Sequence, residues 1–293
     1  MKPIRSFMFV PGHRQKFIDG LPKAEADAVI LDLEDSVPAS EKAAARDLSA
    51  SRIGWLAEHG RRVYVRANKS PHLYDYDDLM AVVRPGLEGI CLSMPMGPED
   101  VALCAAIVAE AEDRNGVTPG SVRLLPALET PRSLQLAYEI AQHPRVDYLI
   151  GAFAKGADLA GAMGMEWSAE GTEALYLKSR VVMAARAAGK RPIGGIWQQV
   201  HDLDGLAAFA AAERRMGFAG TTILHPSNAP IVNRAFSPGP EQLAHYRTMI
   251  VEYERAQAAG LGSIMVGGEH IDKAHVETAR AILAAAEPTE IGE

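Results

Sequence analysis

The sequence predicts an α/β protein, a TIM (β/α)8 barrel with a C-terminal helical lid extension. Short continuous apolar runs alternate with longer amphipathic stretches, eight times in the first three quarters of the 293 residues. Apolar runs without strict alternation are expected of parallel strands covered on both faces. The rival doubly wound sheet needs a glycine-rich phosphate loop behind the first run, and Val10-Pro11-Gly12-His13 is not one.

The expected strands are 6–10, 28–33, 62–66, 89–92, 123–127, 146–150, 192–196 and 221–224, the third being weakest in hydropathy. Between them, Pro98-Glu99-Asp100 opens a helix to Arg114, with an early proline and acids suited to a helix N-terminus. Thr130-Pro131 supplies an N-cap and first helical residue. Two further helices, 171–188 and 202–216, are closed by Gly189 and Gly217. Behind Pro238 the pattern changes: a helix over about 241–259, a glycine break, a short apolar run at 264–266, a turn at Gly267-Gly268 and a last helix over 274–285. The expected division is a barrel domain over 1–237 and an extension over 238–293.

Composition narrows the function classes. With 30 Lys+Arg against 37 Asp+Glu, the net charge of −7 disfavours a nucleic-acid partner, whose phosphates demand cationic surface. No apolar run approaches the ~20 residues that span a bilayer, and the run behind Met1-Lys2-Pro3 is too short for a signal peptide. Cys91 and Cys104 are the only cysteines; both are expected to be reduced core thiols of a cytoplasmic protein.

Barrel chemistry sits where strands end. Asp32, Glu34 and Asp35 follow the second expected strand, Arg66 and Asn68 the third, Glu129 the fifth, Lys155 and Asp158 the sixth, Trp197, Gln198 and Gln199 the seventh, and His225 the eighth. Carboxylates sharing a partly buried rim repel one another, and a hard cation resolves the conflict. With oxygen donors and no Cys/His cluster, the ion implied is Mg2+, with Mn2+ as the alternative; Glu129 and Asp158 on adjacent strand ends would supply its ligands, against the simpler reading that such acids cap helices or pair with arginine, a reading weaker for Glu129, which comes straight off a core strand. The spacing leaves two readings for Arg66: an ion-pair partner of Glu34 or Asp35, or a fork for a substrate carboxylate. His13, His201 and His225 share no metal-ligand spacing and read as structural. Gly194-Gly195 implies close approach of another group, with packing the simpler reason.

Several segments together resemble the citrate lyase β-subunit-like branch of the HpcH/HpaI aldolase and citrate lyase family. They are Arg5-Ser6-Phe7-Met8-Phe9-Val10-Pro11-Gly12, the stretch Asp27 to Val37, Val65-Arg66-Ala67-Asn68, Leu125-Pro126-Ala127-Leu128-Glu129-Thr130-Pro131 and Gly156-Ala157-Asp158-Leu159-Ala160. Ser179-Arg180 and Gly217-Phe218 through His225-Pro226 continue the likeness, and Gly267-Gly268-Glu269-His270-Ile271-Asp272 resembles the family's lid motif. The resemblance implies a homotrimer or hexamer, Mg2+ on Glu129 and Asp158, substrate contacts from Arg66 and Glu129, Glu34 and Asp35 behind them, and Asp272 as a proton carrier from the lid. It departs from the family where Pro-Lys is usual: Ser93-Met94-Pro95-Met96 has no lysine, and Lys155 is the candidate replacement.

The expected activity is a Mg2+-dependent carbon–carbon lyase. It would cleave or form a malyl- or citramalyl-CoA-like 3-hydroxyacyl thioester, giving a 2-oxo acid and an acyl-CoA. Arg14, Lys16 and Lys69 are candidates for the CoA phosphates. An aldolase on free hydroxy acids, or a non-catalytic barrel subunit of an acyl-carrier complex, are the alternatives.

Overall fold

The computed structural model describes residues 3–168 and 171–286; Met1 and Lys2 of the opening segment lie outside them. Eight parallel strands close into a barrel in sequence order: β1 (Ser6–Pro11), β2 (Ala28–Asp32), β3 (Arg62–Ala67), β4 (Leu87–Leu92), β5 (Arg123–Leu128), β6 (Tyr148–Gly151), β7 (Arg191–Ile196) and β8 (Gly220–Ile223). The ring closes where Phe7 of β1 pairs with Thr222 of β8. The weakly apolar third run is a strand because β2 and β4 flank it: Val29 pairs with Val63, and Val65 with Ile90.

Side chains fill the barrel interior. Phe7 meets Tyr64 and Tyr148 edge-on at 5.3 and 5.4 Å, within a buried cluster that also holds Ile30, Cys91 and Leu125. Tyr64 and Arg62 both donate to Glu88, giving the buried phenol and the guanidinium a shared acceptor. Cys91 and Cys104 are buried and free.

Local signals set the helix ends. Pro98–Arg114 is helical as expected. Thr130 caps Pro131–Gln135, accepting from the Ser133 N–H while Ser133 Oγ accepts from the Thr130 N–H. Asp202 caps Leu203–Met216, and Gly217 ends it at φ 101°. The expected helix from 171 begins as a 3-10 turn, Thr172–Ala174, and is α-helical over Leu175–Ala187. The paired glycines of β7 answer to packing: a Cβ on Gly194 would strike the buried Glu213 carboxylate, and one on Gly195 the Phe153 carbonyl.

The described residues divide into two compact units, 4–233 and, together with Pro3, 234–286. The second unit is not wholly helical. Helix Pro240–Ala258 is followed by an antiparallel hairpin, β9 (Ser263–Val266) and β10 (Glu269–Asp272), then by helix Lys273–Ala286. β10 was not expected because Glu269-His270-Ile271-Asp272 carries one apolar residue; Ile271 alone turns inward, joining Met249, Tyr253, Val266 and Val276. Gly267 and Gly268, at φ 57° and 87°, make the turn. No described helix is long and apolar enough to cross a membrane.

Candidate active site

Arg66 and the two expected metal ligands converge on one cavity. It has a volume of about 850 Å³, opens at the C-terminal ends of the strands, and is lined by Arg66, Glu129 and Asp158 among mostly apolar groups such as Phe9, Phe153 and Ile196. Asp32 and Asp35 also reach its wall.

Arg66 is held by carboxylates. Its Nε and Nη2 each donate at 2.7 Å to the two oxygens of Asp32, and its Nη1 lies 3.0 Å from Glu34 and 3.4 Å from Asp35. Register explains the main contact, because Asp32 is the direct cross-strand partner of Arg66 in the β2–β3 pair. The guanidinium also lies over the Phe9 ring at 5.1 Å. Burial works against the charge on Asp32, yet the Arg66 fork holds its carboxyl below the usual range. Burial pushes Glu34 upward against the pull of Arg66, with Asp35 and Asp32 adding repulsion.

Glu129 follows β5 directly. Burial raises its carboxyl to about 7; the Met94 N–H, donating at 2.8 Å, and Arg66 pull the other way, while Glu34 and Asp158 repel it. Asp158 is the first residue of helix Asp158–Met163 and is exposed to the cavity. Two carboxylates that repel each other across one cavity, one of them desolvated, form a donor set that suits Mg2+, which takes one or two protein carboxylates and keeps other positions for water and substrate. Among the described residues no group of three or more His, Cys, Asp or Glu is placed to hold a metal ion, so any ion here would rest on at most two protein carboxylates.

Other candidates fall elsewhere. Lys16 lines the cavity, as expected of a rim cation, and Lys23 joins it; Arg14 does not. Lys69 is buried, donating to the Met94 carbonyl and to Asp100 at 2.8 and 2.7 Å, so its assignment to CoA phosphates is corrected. Lys155 does not line the cavity. Asn68 is spent on Asp78 through its backbone N–H and its amide. Trp197 stacks on Phe209 at 5.7 Å, and Gln198 donates to the Lys155 carbonyl. His225 lines the cavity, with its Nδ1 facing Ser227 at 2.8 Å and its ring edge-on to His201. In the second unit, Asp272 Oδ1 accepts the Ala274 N–H at 3.0 Å and lies 2.6 Å from His275 Nδ1, a helix-capping arrangement. Met94 stood out in the sequence only as part of the segment without the usual lysine; nothing there marks a methionine whose backbone, at φ 41°, serves the site.

A cavity at the strand ends of a closed barrel, lined by a clamped arginine and two carboxylates, is placed where barrel enzymes carry their active sites. The family model of HpcH/HpaI aldolase/citrate lyase matches residues 5–226, and the chain belongs to that family. It is 30% identical over 289 residues to citrate lyase subunit beta of Escherichia coli, covering 99% of this chain and 95% of that one. It is 31% identical over 286 residues to a (3S)-malyl-CoA thioesterase of Cereibacter sphaeroides, covering 97% and 95%. A solved citrate lyase beta subunit from M. tuberculosis, complexed with oxaloacetate and magnesium, superposes with a TM-score of 0.61 at 26% identity, covering 80% of this chain and 96% of that one.

Proposed function

We propose that the chain is a Mg2+-dependent carbon–carbon lyase acting on a 3-hydroxyacyl thioester with a carboxylate beside the hydroxyl, of the malyl- or citramalyl-CoA kind. The observation that carries this reading is the meeting of Arg66, Glu129 and Asp158 in one cavity. Relatives named as citrate lyase subunit beta and (3S)-malyl-CoA thioesterase support the substrate class.

Glu129 and Asp158 would hold the ion. When bound, Mg2+ supplies Lewis-acid polarisation of the substrate's carboxylate and hydroxyl oxygens. Arg66, oriented by Asp32, places positive charge beside the oxygen that gains negative charge as the bond breaks. In the cleavage direction the hydroxyl gives up its proton and becomes the keto group of a 2-oxo acid. The bonding pair moves to the carbon next to the thioester, and that carbon takes a proton to give the acyl-CoA. Asp272 is the proposed proton carrier. Lys16 and Lys23 are the cavity-lining cations suited to CoA phosphates, and the apolar wall formed by Phe9, Phe153 and Ile196 excludes water around the reacting carbons.

The test is to incubate the protein with Mg2+ and malyl- or citramalyl-CoA and to assay for 2-oxo acid and acyl-CoA. Free malate and citramalate run in parallel, as does the thioester assayed for hydrolysis alone. Release of 2-oxo acid from the thioester only is the expected outcome. Cleavage of the free acids alone would replace the CoA reading with an aldolase, and no turnover in any arm would reject the lyase.

A further inference from the structure

Met94 is the only non-glycine residue at positive φ among the described residues, at 41°. A left-handed backbone at a residue with a Cβ is costly and persists only where its surroundings impose it. Here it turns the Met94 N–H onto Glu129 Oε2 at 2.8 Å.

The surroundings centre on Lys69. Its ammonium donates to the Met94 carbonyl at 2.8 Å and to Asp100 Oδ2 at 2.7 Å. The same Asp100 oxygen accepts the Met96 N–H at 2.9 Å, so both ends of the strained segment are tied to one carboxylate–ammonium pair. One residue before Met94, the Ser93 carbonyl accepts from Tyr74 at 2.8 Å, and the Lys69 ammonium lies 5.5 Å from the centre of the Tyr74 ring. The pair is shielded: the Lys69 side chain is 8% exposed and that of Asp100 16%. A buried ammonium with two short acceptors cannot swing out to bind a substrate phosphate without stranding Asp100, so its role is internal.

We infer that Lys69, paired with Asp100, is a positioning residue that holds the strained Met94 backbone so that its N–H fixes the Glu129 carboxylate in its metal-binding orientation. The inference rests on Glu129 as a Mg2+ ligand. Groups that orient a metal ligand from behind typically change metal affinity 10–100-fold when removed.

The experiment is Mg2+ titration calorimetry on the substrate-free protein, with far-UV circular dichroism and melting temperature as fold controls. Four proteins are compared: wild type, Glu129→Gln, Lys69→Met and the double variant Lys69→Met/Asp100→Asn. The double variant removes the stranded charge, so it folds even where Lys69→Met does not, and Asn still offers an oxygen to the Met96 N–H. The expected result is that wild type binds, Glu129→Gln does not, and both Lys69 variants bind about 10-fold or more weakly. The double variant should melt nearer wild type than the single one does, while its Mg2+ affinity stays low. Wild-type affinity in the double variant, with binding still abolished in Glu129→Gln, would overturn the role of Lys69 and leave the metal site standing. Unchanged binding in Glu129→Gln would instead remove the metal reading and this inference with it.

Discussion

Asp32 and Arg66 sit opposite each other in the register of β2 and β3 and meet as a two-point fork, Nε to Oδ1 and Nη2 to Oδ2, both at 2.7 Å. The fork fixes the plane of the guanidinium where it enters the cavity wall. Lysine carries the same charge but no second donor in that plane. Arg66→Lys should therefore lower turnover about 10²-fold or more, as loss of an oriented oxyanion donor does. Steady-state kinetics with an intact circular dichroism spectrum checks this; near-wild-type turnover would leave Arg66 only its ion-pair role.

Glu129 links the site to pH. Burial raises its carboxyl from 4.5 to about 7 in the metal-free protein. A group raised in this way favours the folded state most below its unfolded value and loses that contribution as pH rises through the folded one. Metal-free stability should thus decline between about pH 4.5 and 7 by a component that Glu129→Gln lacks. Because Mg2+ competes with that proton, Mg2+ affinity should climb across the same window. Chemical denaturation and calorimetry at several pH values measure both slopes.

Asp158 separates from Glu129 by exposure. It opens a helix at the cavity wall and is not enclosed as Glu129 is. Asp158→Asn should weaken Mg2+ binding with little change in melting temperature, because no buried partner is stranded. Equal Mg2+ affinity in calorimetry would take Asp158 out of the ligand set.

The observed cap of Asp272 and its proposed proton-carrying role differ in what they move. As the cap it makes to Ala274 and His275, it would affect melting temperature slightly and chemistry hardly at all. As a proton carrier, its loss costs ~10²–10⁴ in rate with the fold intact. Asp272→Asn keeps an oxygen for the cap, so the expected outcome is an unchanged melting curve with strongly reduced turnover on a hydroxyacyl-CoA. Unchanged turnover would assign Asp272 to the cap alone.

Glu112 is a control remote from the cavity. Its carboxylate is 1% exposed and is gripped by both terminal nitrogens of Arg145, at 2.7 and 2.8 Å, and by the N–H groups of Gly120 and Val122. Burial alone would raise its pKa, but these four donors hold it below the usual value of 4.5. The stability it contributes is present above that value and lost as pH falls through the lower folded one. Glu112→Gln should cost about 3 kcal/mol near neutrality and flatten the acid limb of the stability curve, with Mg2+ affinity unchanged.

The strands and most helix ends were readable from one dimension because each depends on local signals. A continuous apolar run such as Ala28–Asp32 has few uses other than a strand covered on both faces, and Thr130-Pro131 or Gly217 acts on its own helix. Glu129 and Asp158 were visible because strand ends in a barrel share a rim. What depended on folding was which groups meet across that rim. Asp32 became the main partner of Arg66 through the β2–β3 register, which residue spacing does not reveal. Lys69 stood as a candidate for the CoA phosphates because nothing in its neighbours announces Asp100, 31 positions away, or the burial of their pair. Met94 owes its left-handed backbone to that same pair, and β10 owes its existence to β9 beside it and to the single inward Ile271. Periodicity and capping are properties of neighbouring residues; register, charge pairing and imposed strain are properties of the closed barrel and of the hairpin, and arise only once distant segments are packed side by side.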